Sequence, residues 1–130
     1  MSPEQRAIAC RRWRWLPGML DADGFRVIRH GWSYDTKAPH DGRTHLCNAL
    51  PWDITPPTLP DFRDAPTVGG LLSLAREAWS DPTISTFYDC SQGHVWIVYT
   101  QDDRLSDSGT VSHRGKCEAE ALVMALEAAP

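Results

Sequence analysis

Cysteine and histidine, the side chains that bind zinc in many proteins, occur at two places where this chain is expected to turn. Cys90 and His94 flank a predicted tight turn, and His40, His45 and Cys47 lie in a proline-rich stretch. A zinc site of Cys47, Cys90 and His94 has suitable ligand types, but its spacing matches no zinc-finger pattern and the chain has no Cys-x-x-Cys pair. This favours surface histidines and small buried cysteines, so we expect no metal and no other cofactor.

Nucleophilic catalysis is the second chemistry that these residue types allow. The chain has no Gly-x-Ser-x-Gly motif to place a nucleophile, and no glycine-rich loop with a lysine to hold a phosphate. Five histidines and four cysteines produce chance triads in any domain of this size, so their presence alone indicates nothing. We therefore expect no catalytic residues and a protein that is not an enzyme.

A short segment alternates cations with aromatic rings: Arg11, Arg12, Trp13, Arg14 and Trp15. Arginine pairs with phosphate and tryptophan stacks on bases, so this pattern is typical of contacts with nucleic acid. In the alternative interpretation, the tryptophans belong to the core and the arginines flank the C-terminal end of a helix, where cations are favourable. The position of the segment favours that alternative.

Aromatic residues and arginine also carry much of the binding energy of protein–protein interfaces. Trp32, Tyr34 and Trp52 lie outside the core that the periodicity predicts. They either contact a partner or fill a second small core in the N-terminal half, and the sequence leaves both readings open. The residues predicted to contact a partner are Arg11, Arg12, Trp13, Arg14, Trp15, Trp32, Tyr34 and Trp52.

The first half of the chain offers weak elements to position these side chains. Within residues 1–34, a helix with Ser2 as its N-cap is predicted to reach Arg12 or Trp13. A strand is predicted over 25–29, with its partner either in 13–20 or in 32–34. Residues 35–64 contain five prolines and no sustained period, which predicts an irregular loop or linker.

Residues 65–130 carry the strongest signals. Apolar residues follow helical spacing over Pro66–Trp79 and again over Cys117–Ala128. Between them, strands are predicted at 84–89, 95–100 and 105–112, the first two as a hairpin. Since neither helix can bury its apolar stripe alone, we expect an α+β fold in which helices pack on a small antiparallel sheet, in an α-β-α sandwich-like arrangement.

The length and composition indicate a single domain spanning residues 1–130. A chain with 42% apolar and 23% charged residues can form its own core. No apolar run of the chain, Val95–Tyr99 included, is long enough to cross a bilayer, and its N-terminus lacks the apolar core of a signal peptide. We therefore expect a cytoplasmic protein with free thiols and no membrane partner.

Charge is divided unevenly along the chain. Residues 1–50 carry eight Lys/Arg and five Asp/Glu, a net charge of +3, whereas residues 51–130 carry five and twelve, a net charge of −7. Because contacts with phosphate need cations, the acidic half disfavours nucleic acid. A protein partner is the first expectation, and nucleic acid bound by residues 11–15 is the alternative.

Three stretches of the chain resemble small proteins of tailed bacteriophages and prophages. They are ACRRWRWLPGM at 9–19, LPD at 59–61 followed by TVGGLLSLAREAW at 67–79, and EAEALVMALEA at 118–128. The helix–strands–helix half is similar to the phage ABA-sandwich type of domain. The resemblance implies an accessory phage protein that binds and inhibits a host protein or an anti-phage defence complex, for example of the CRISPR type. It transfers no catalytic residues.

Overall fold

The computed structural model of the protein describes residues 1–28, 31–34, 59–91, 93–101 and 109–130. These contain three helices, a two-stranded hairpin and a three-stranded antiparallel sheet, so the predicted α+β class is confirmed. The chain divides into two compact units, one of residues 1–14 with 71–130 and the other of residues 15–70. The single-domain organisation stays a prediction. None of the described helices is long and apolar enough to cross a membrane.

Helix α1, Pro3–Ala9, begins with the capping box that the sequence predicts. The Ser2 hydroxyl accepts a hydrogen bond from the Gln5 backbone N–H at 3.1 Å, and the Gln5 side chain accepts one from the Ser2 N–H at 2.9 Å. The predicted C-terminal end at residue 12 or 13 is wrong, because the backbone becomes extended at Cys10. Ile8 and Ala9 are already exposed, so a further helical turn would bury no apolar stripe.

The unit of residues 15–70 contains the hairpin of β1, Phe25–Ile28, and β2, Gly31–Tyr34, which pair antiparallel. The structure thus selects the second of the two predicted partners. Residues 13–20 add an isolated bridge, Leu20 to Arg26, to the same strand. The buried Asp21 carboxylate closes the turn before β1, since it accepts hydrogen bonds from the backbone N–H groups of Asp23 and Phe25.

Helix α2, Ala65–Ala78, begins at a network around Asp64. The Asp64 carboxylate accepts hydrogen bonds from the Thr67 N–H at 3.1 Å and the Thr67 hydroxyl at 2.7 Å, which is the predicted N-cap. Two further bonds come from the Arg26 guanidinium at 3.0 and 3.1 Å. Burial by itself raises the pKa of Asp64, but the bonds from Arg26 and Thr67 and the charge of Arg26 outweigh it, so this pKa is lowered.

Helix α2 contains a glycine pair, Gly69 and Gly70, although glycine is unfavourable inside a helix. A Cβ added at Gly70 would lie 2.7 Å from the end of the Met19 side chain, so this buried methionine would have to shift to admit a larger residue. At Gly69 the same Cβ would meet nothing within 4 Å. Only one glycine of the pair is therefore explained by contact.

The unit of residues 1–14 and 71–130 is built around a sheet of order β3-β4-β5. Its strands are β3, Thr86–Asp89; β4, Val95–Gln101; and β5, Thr110–Gly115. Helix α3, Glu118–Glu127, packs on one face of all three strands and buries six of its residues. The predicted hairpin and final helix are confirmed within two residues at each end.

The third strand ends three residues later than the predicted 112. Two residues explain the extension. The buried His113 faces α3 and its Nε2 lies 2.8 Å from the Thr100 hydroxyl, which satisfies both groups. At Gly115, a Cβ would lie 2.5 Å from the Ala121 backbone nitrogen, so glycine is what lets β5 run beside α3. Neither feature is visible as a strand pattern in the sequence.

Candidate binding site

A cavity of about 200 Å³ opens beside the segment that follows α1. Its lining combines four of the eight predicted partner-contacting residues with three residues of α2. We call it the Arg–Trp cavity, lined by Arg11, Arg12, Trp13, Arg14, Leu74, Glu77 and Ala78. All seven belong to the unit of residues 1–14 and 71–130. The structure therefore brings the cation–aromatic segment together around one concave surface.

Arg14 joins this segment to α2 through a two-pronged ion pair. Its two terminal nitrogens donate hydrogen bonds to the Glu77 carboxylate at 2.7 and 2.6 Å. The hydrogen bond raises the pKa of Arg14 and lowers the pKa of Glu77, so both groups stay charged across the physiological range. The pair therefore fixes one wall of the cavity and neutralises one of its three arginines.

The other two arginines have different surroundings. Arg12 donates a hydrogen bond to the carbonyl oxygen of Pro130. Arg11 is exposed and forms no hydrogen bond or ion pair with any residue that the structure describes. Three arginines against one glutamate leave a local charge of +2, and the donors of Arg11 are available to a ligand.

Apolar side chains supply the smaller part of the lining. Leu74 is buried, while Trp13 and Ala78 are half-buried and so present part of their surface to the cavity. A cationic rim beside an apolar wall suits a ligand that carries both a negative charge and an apolar group.

Contacts with α3 hold the arginine-rich segment in place. Arg6 of α1 forms an ion pair with Glu127 at 2.5 Å, and the Cys10 thiol donates a weak hydrogen bond to the Leu126 carbonyl at 3.8 Å. Just after α2, the Trp79 indole N–H donates to the Ala125 carbonyl at 2.7 Å. Both sides of the cavity are thus tied to the same helix.

A second surface lies on the sheet, on the face opposite to α3. Phe87 and Tyr99 are 52% and 45% exposed there, and their ring centroids are 6.0 Å apart. Ile97 stands directly opposite Phe87 on the neighbouring strand and is only 3% exposed. We call these three residues the aromatic sheet face. Two large exposed rings over a buried aliphatic residue are unusual on a surface that contacts only water.

The sequence prediction did not identify this face, because the uninterrupted apolar run Val95–Tyr99 indicates a central strand covered on at least one face without showing which of its residues stay exposed. The signal that would have found it is the alternation of strand side chains. Ile97 and Tyr99 must lie on the face opposite to Trp96 and Val98. Since α3 covers the face of Trp96 and Val98, Tyr99 lies on the opposite face, where its ring stays half exposed.

Two residues of the weak zinc alternative, Cys90 and His94, lie at the hairpin turn between β3 and β4. The hydroxyl of Tyr88 lies 2.8 Å from His94 Nδ1, so one ring nitrogen of this histidine is already used. Cys90 is exposed beside it, whereas Cys47, His40 and His45 lie outside the described residues. Within the part of the chain that the structure describes, no three potential metal ligands come together.

The remaining predicted contact residues are Trp15, Trp32, Tyr34 and Trp52. Trp15 is half-buried and belongs to the unit of residues 15–70. Trp32 and Tyr34 lie on β2, in register with Val27 and Phe25. Trp52 lies outside the described residues.

Comparisons of the chain with protein-family models, with curated proteins and with solved structures find no match. The resemblance to phage accessory proteins therefore rests on the three sequence stretches alone.

Proposed function

We propose that this protein is a non-enzymatic module that acts by binding one protein partner in fixed stoichiometry. The aromatic sheet face carries the proposal. Two large side chains on this face, Phe87 and Tyr99, are about half exposed and lie beside each other. Aromatic residues of this kind are enriched at the energetic centres of protein interfaces.

The energetics of the aromatic sheet face suit an interface. Fully burying a large apolar side chain stabilises a complex by about 1.5–3 kcal/mol, so completing the burial of each half-exposed ring contributes on the order of 1 kcal/mol. Because Phe87 and Tyr99 stand on paired strands over the buried Ile97, few backbone or side-chain degrees of freedom remain to be lost on binding. Because a preorganised face loses less conformational entropy, more of the free energy of burial remains as binding affinity.

The resemblance to small phage proteins supports the kind of partner. We propose a bacterial host protein or a component of an anti-phage defence complex, such as a CRISPR-type complex, which the bound module inhibits by covering a working surface. The site of action is then the cytoplasm of the host. The resemblance supports this assignment by association, and the sheet face supports the binding mode.

Affinity purification from a bacterial lysate tests the proposal. We expect the tagged protein to retain one protein in fixed stoichiometry after nuclease treatment, and the Phe87→Ala/Tyr99→Ala variant to lose it. Ile8→Ala is the matched control, because it removes an exposed apolar side chain of the same unit away from the sheet. Equal retention of the partner by a folded double variant would contradict the assignment of this face.

Nucleic-acid binding through residues 11–15 is the second candidate. The convergence of Arg11, Arg12 and Arg14 beside Trp13 favours it. It has less support, because Arg14 is already paired with Glu77 and a carboxylate in the cavity wall repels phosphate. This candidate predicts salt-sensitive binding of an oligonucleotide that weakens when the three arginines become alanine.

A further inference from the structure

We propose that the Arg–Trp cavity binds an anchor of the protein partner in which an apolar side chain is flanked by aspartate or glutamate. This inference rests on the proposed protein-binding function and assigns the chemistry of the segment that the partner supplies.

The charge of the cavity selects an acidic ligand. With three arginines and one glutamate, the rim has a net charge of +2. Arg11 is the group that receives the carboxylate, because its planar guanidinium offers several donors and has no acceptor among the described residues. Hydrogen bonds between arginine and carboxylate are charge-assisted and directional, so they set orientation as well as affinity.

Glu77 determines on which side of the cavity a ligand carboxylate can lie. It lies on the α2 side of the cavity, where its carboxylate is held by Arg14. A ligand carboxylate placed beside Glu77 would be repelled by it, whereas one placed beside Arg11, which pairs with no residue that the structure describes, is attracted. The acidic residue of the partner therefore belongs on the side of the arginine-rich segment, and the apolar group belongs toward α2.

The volume of the cavity argues for an anchor side chain. Pockets that enclose drug-sized ligands or cofactors measure roughly 300–1,000 Å³. At about 200 Å³, the cavity has room for one large side chain. Trp13 and Ala78, which are both half-buried, give it an apolar patch for a leucine or phenylalanine, and anchor residues of interfaces are seated against such patches.

A fluorescence-anisotropy titration of the full-length protein tests the anchor. The probe is a labelled peptide Gly-Asp-Leu-Asp-Gly, with the Asn analogue Gly-Asn-Leu-Asn-Gly and an eight-nucleotide oligo-dT as comparison ligands. We expect saturable binding of the acidic peptide, and weaker binding of the Asn analogue by on the order of tenfold, since each lost charge-assisted hydrogen bond costs about that factor.

Two variants locate the site on opposite walls of the cavity. Arg11→Ala removes the carboxylate receptor, and Ala78→Phe fills the apolar side while leaving every charge in place. Each is expected to weaken the peptide by on the order of tenfold. Arg114→Ala is the matched control, because it removes one exposed arginine of the same unit outside the cavity, and we expect less than about a twofold change. Since Arg11 is exposed, its variant stays folded even if Ala78→Phe does not.

Several results would overturn the anchor. They are no peptide binding to the wild-type protein, equal binding of the Asn analogue, wild-type affinity in Arg11→Ala, and tighter binding of the oligonucleotide than of the peptide. The last result would indicate that the cavity binds nucleic acid.

The Phe87→Ala/Tyr99→Ala variant separates this inference from the proposed function. It is expected to bind the peptide like the wild type while losing the partner from the lysate. A captured partner without peptide binding rejects the anchor alone, and peptide binding without any captured protein rejects the proposed function alone.

Discussion

Two arginine–carboxylate pairs involve opposite ends of α2, and they differ in burial. Arg26 and Asp64 at the N-terminal end meet through hydrogen bonds of 3.0 and 3.1 Å, with side chains 22% and 16% exposed. Arg14 and Glu77 near the C-terminal end meet through bonds of 2.7 and 2.6 Å, with side chains 54% and 59% exposed. The chemistry and the two-pronged geometry are the same.

Burial gives the two pairs different roles. Around Asp64, Thr67 and Arg26 together donate four hydrogen bonds to the carboxylate, and Arg26 also donates to the Gly18 carbonyl at 2.6 Å. Losing one partner there would leave a poorly hydrated charge, which is strongly destabilising. Water and salt screen the exposed pair of Arg14 and Glu77, so its contribution to stability is small. That pair instead arranges charge around the Arg–Trp cavity, where a ligand can compete for it.

The largest expected effect is on the buried pair. Arg26→Ala should lower the free energy of unfolding by about 2–3 kcal/mol, because it strands the Asp64 carboxylate and the Gly18 carbonyl. Urea unfolding of the full chain measures it. Asp64→Asn is the informative comparison, since asparagine keeps the N-cap of α2 but not the charge. An Arg26→Ala variant as stable as the wild type would remove the contrast between the two pairs.

Lowering the pH should destabilise the protein through the same pair, by less than Arg26→Ala does. The folded-state pKa of Asp64 is lowered, so its contribution to stability is present above its ordinary pKa of 3.8 and is lost as the pH falls through the folded value. Urea midpoints measured between pH 6 and pH 2 should decline over this window. The decline should be shallower in Asp64→Asn, which has no group to titrate. Superimposable profiles of the two proteins would refute this assignment.

Strengthening α2 itself should have a modest effect of the opposite sign. Gly69→Ala is expected to stabilise the protein by about 0.5–1 kcal/mol, because alanine favours the helix and its Cβ meets nothing within 4 Å. Gly70→Ala is the matched variant, in which the Met19 side chain must move, and it should gain less or lose stability. Thermal unfolding distinguishes them, and identical gains would contradict the packing described for Gly70.

The smallest expected effect on stability is at the exposed pair. Glu77→Gln should leave the urea midpoint unchanged within error, because both side chains of the pair are well hydrated. The same variant frees Arg14 and should tighten binding of the acidic peptide, by on the order of threefold. A marked loss of stability would place this pair in the same class as Arg26 and Asp64.

Local sequence patterns predicted the elements whose stabilising contacts join residues only a few positions apart. Ser2 and Gln5 form their capping box across three positions, and Asp64 caps α2 through Thr67 across another three. The apolar stripes of α2 and α3 repeat within single helices. The end of α1 and the extent of β5 could not be foreseen, because they depend on what lies opposite the chain.

The candidate sites likewise have one part that the sequence predicts and one part that depends on tertiary contacts. Grouping Arg11 to Arg14 as one cation–aromatic segment needed only the sequence. Their convergence on a cavity did not follow from it, because Glu77 lies 63 positions from Arg14 along the chain. The exposure of Phe87 and Tyr99 likewise depends on which face of the sheet α3 covers.

The sequence by itself thus determined the α+β class, the helix caps, the central hairpin and the cation–aromatic segment, since each depends on residue types within a few positions. Only the tertiary structure decided which arginine is neutralised, which carboxylate is buried and which aromatic rings remain exposed. Those outcomes depend on contacts between residues distant in sequence, and the identity of a side chain does not specify its neighbours or its access to water.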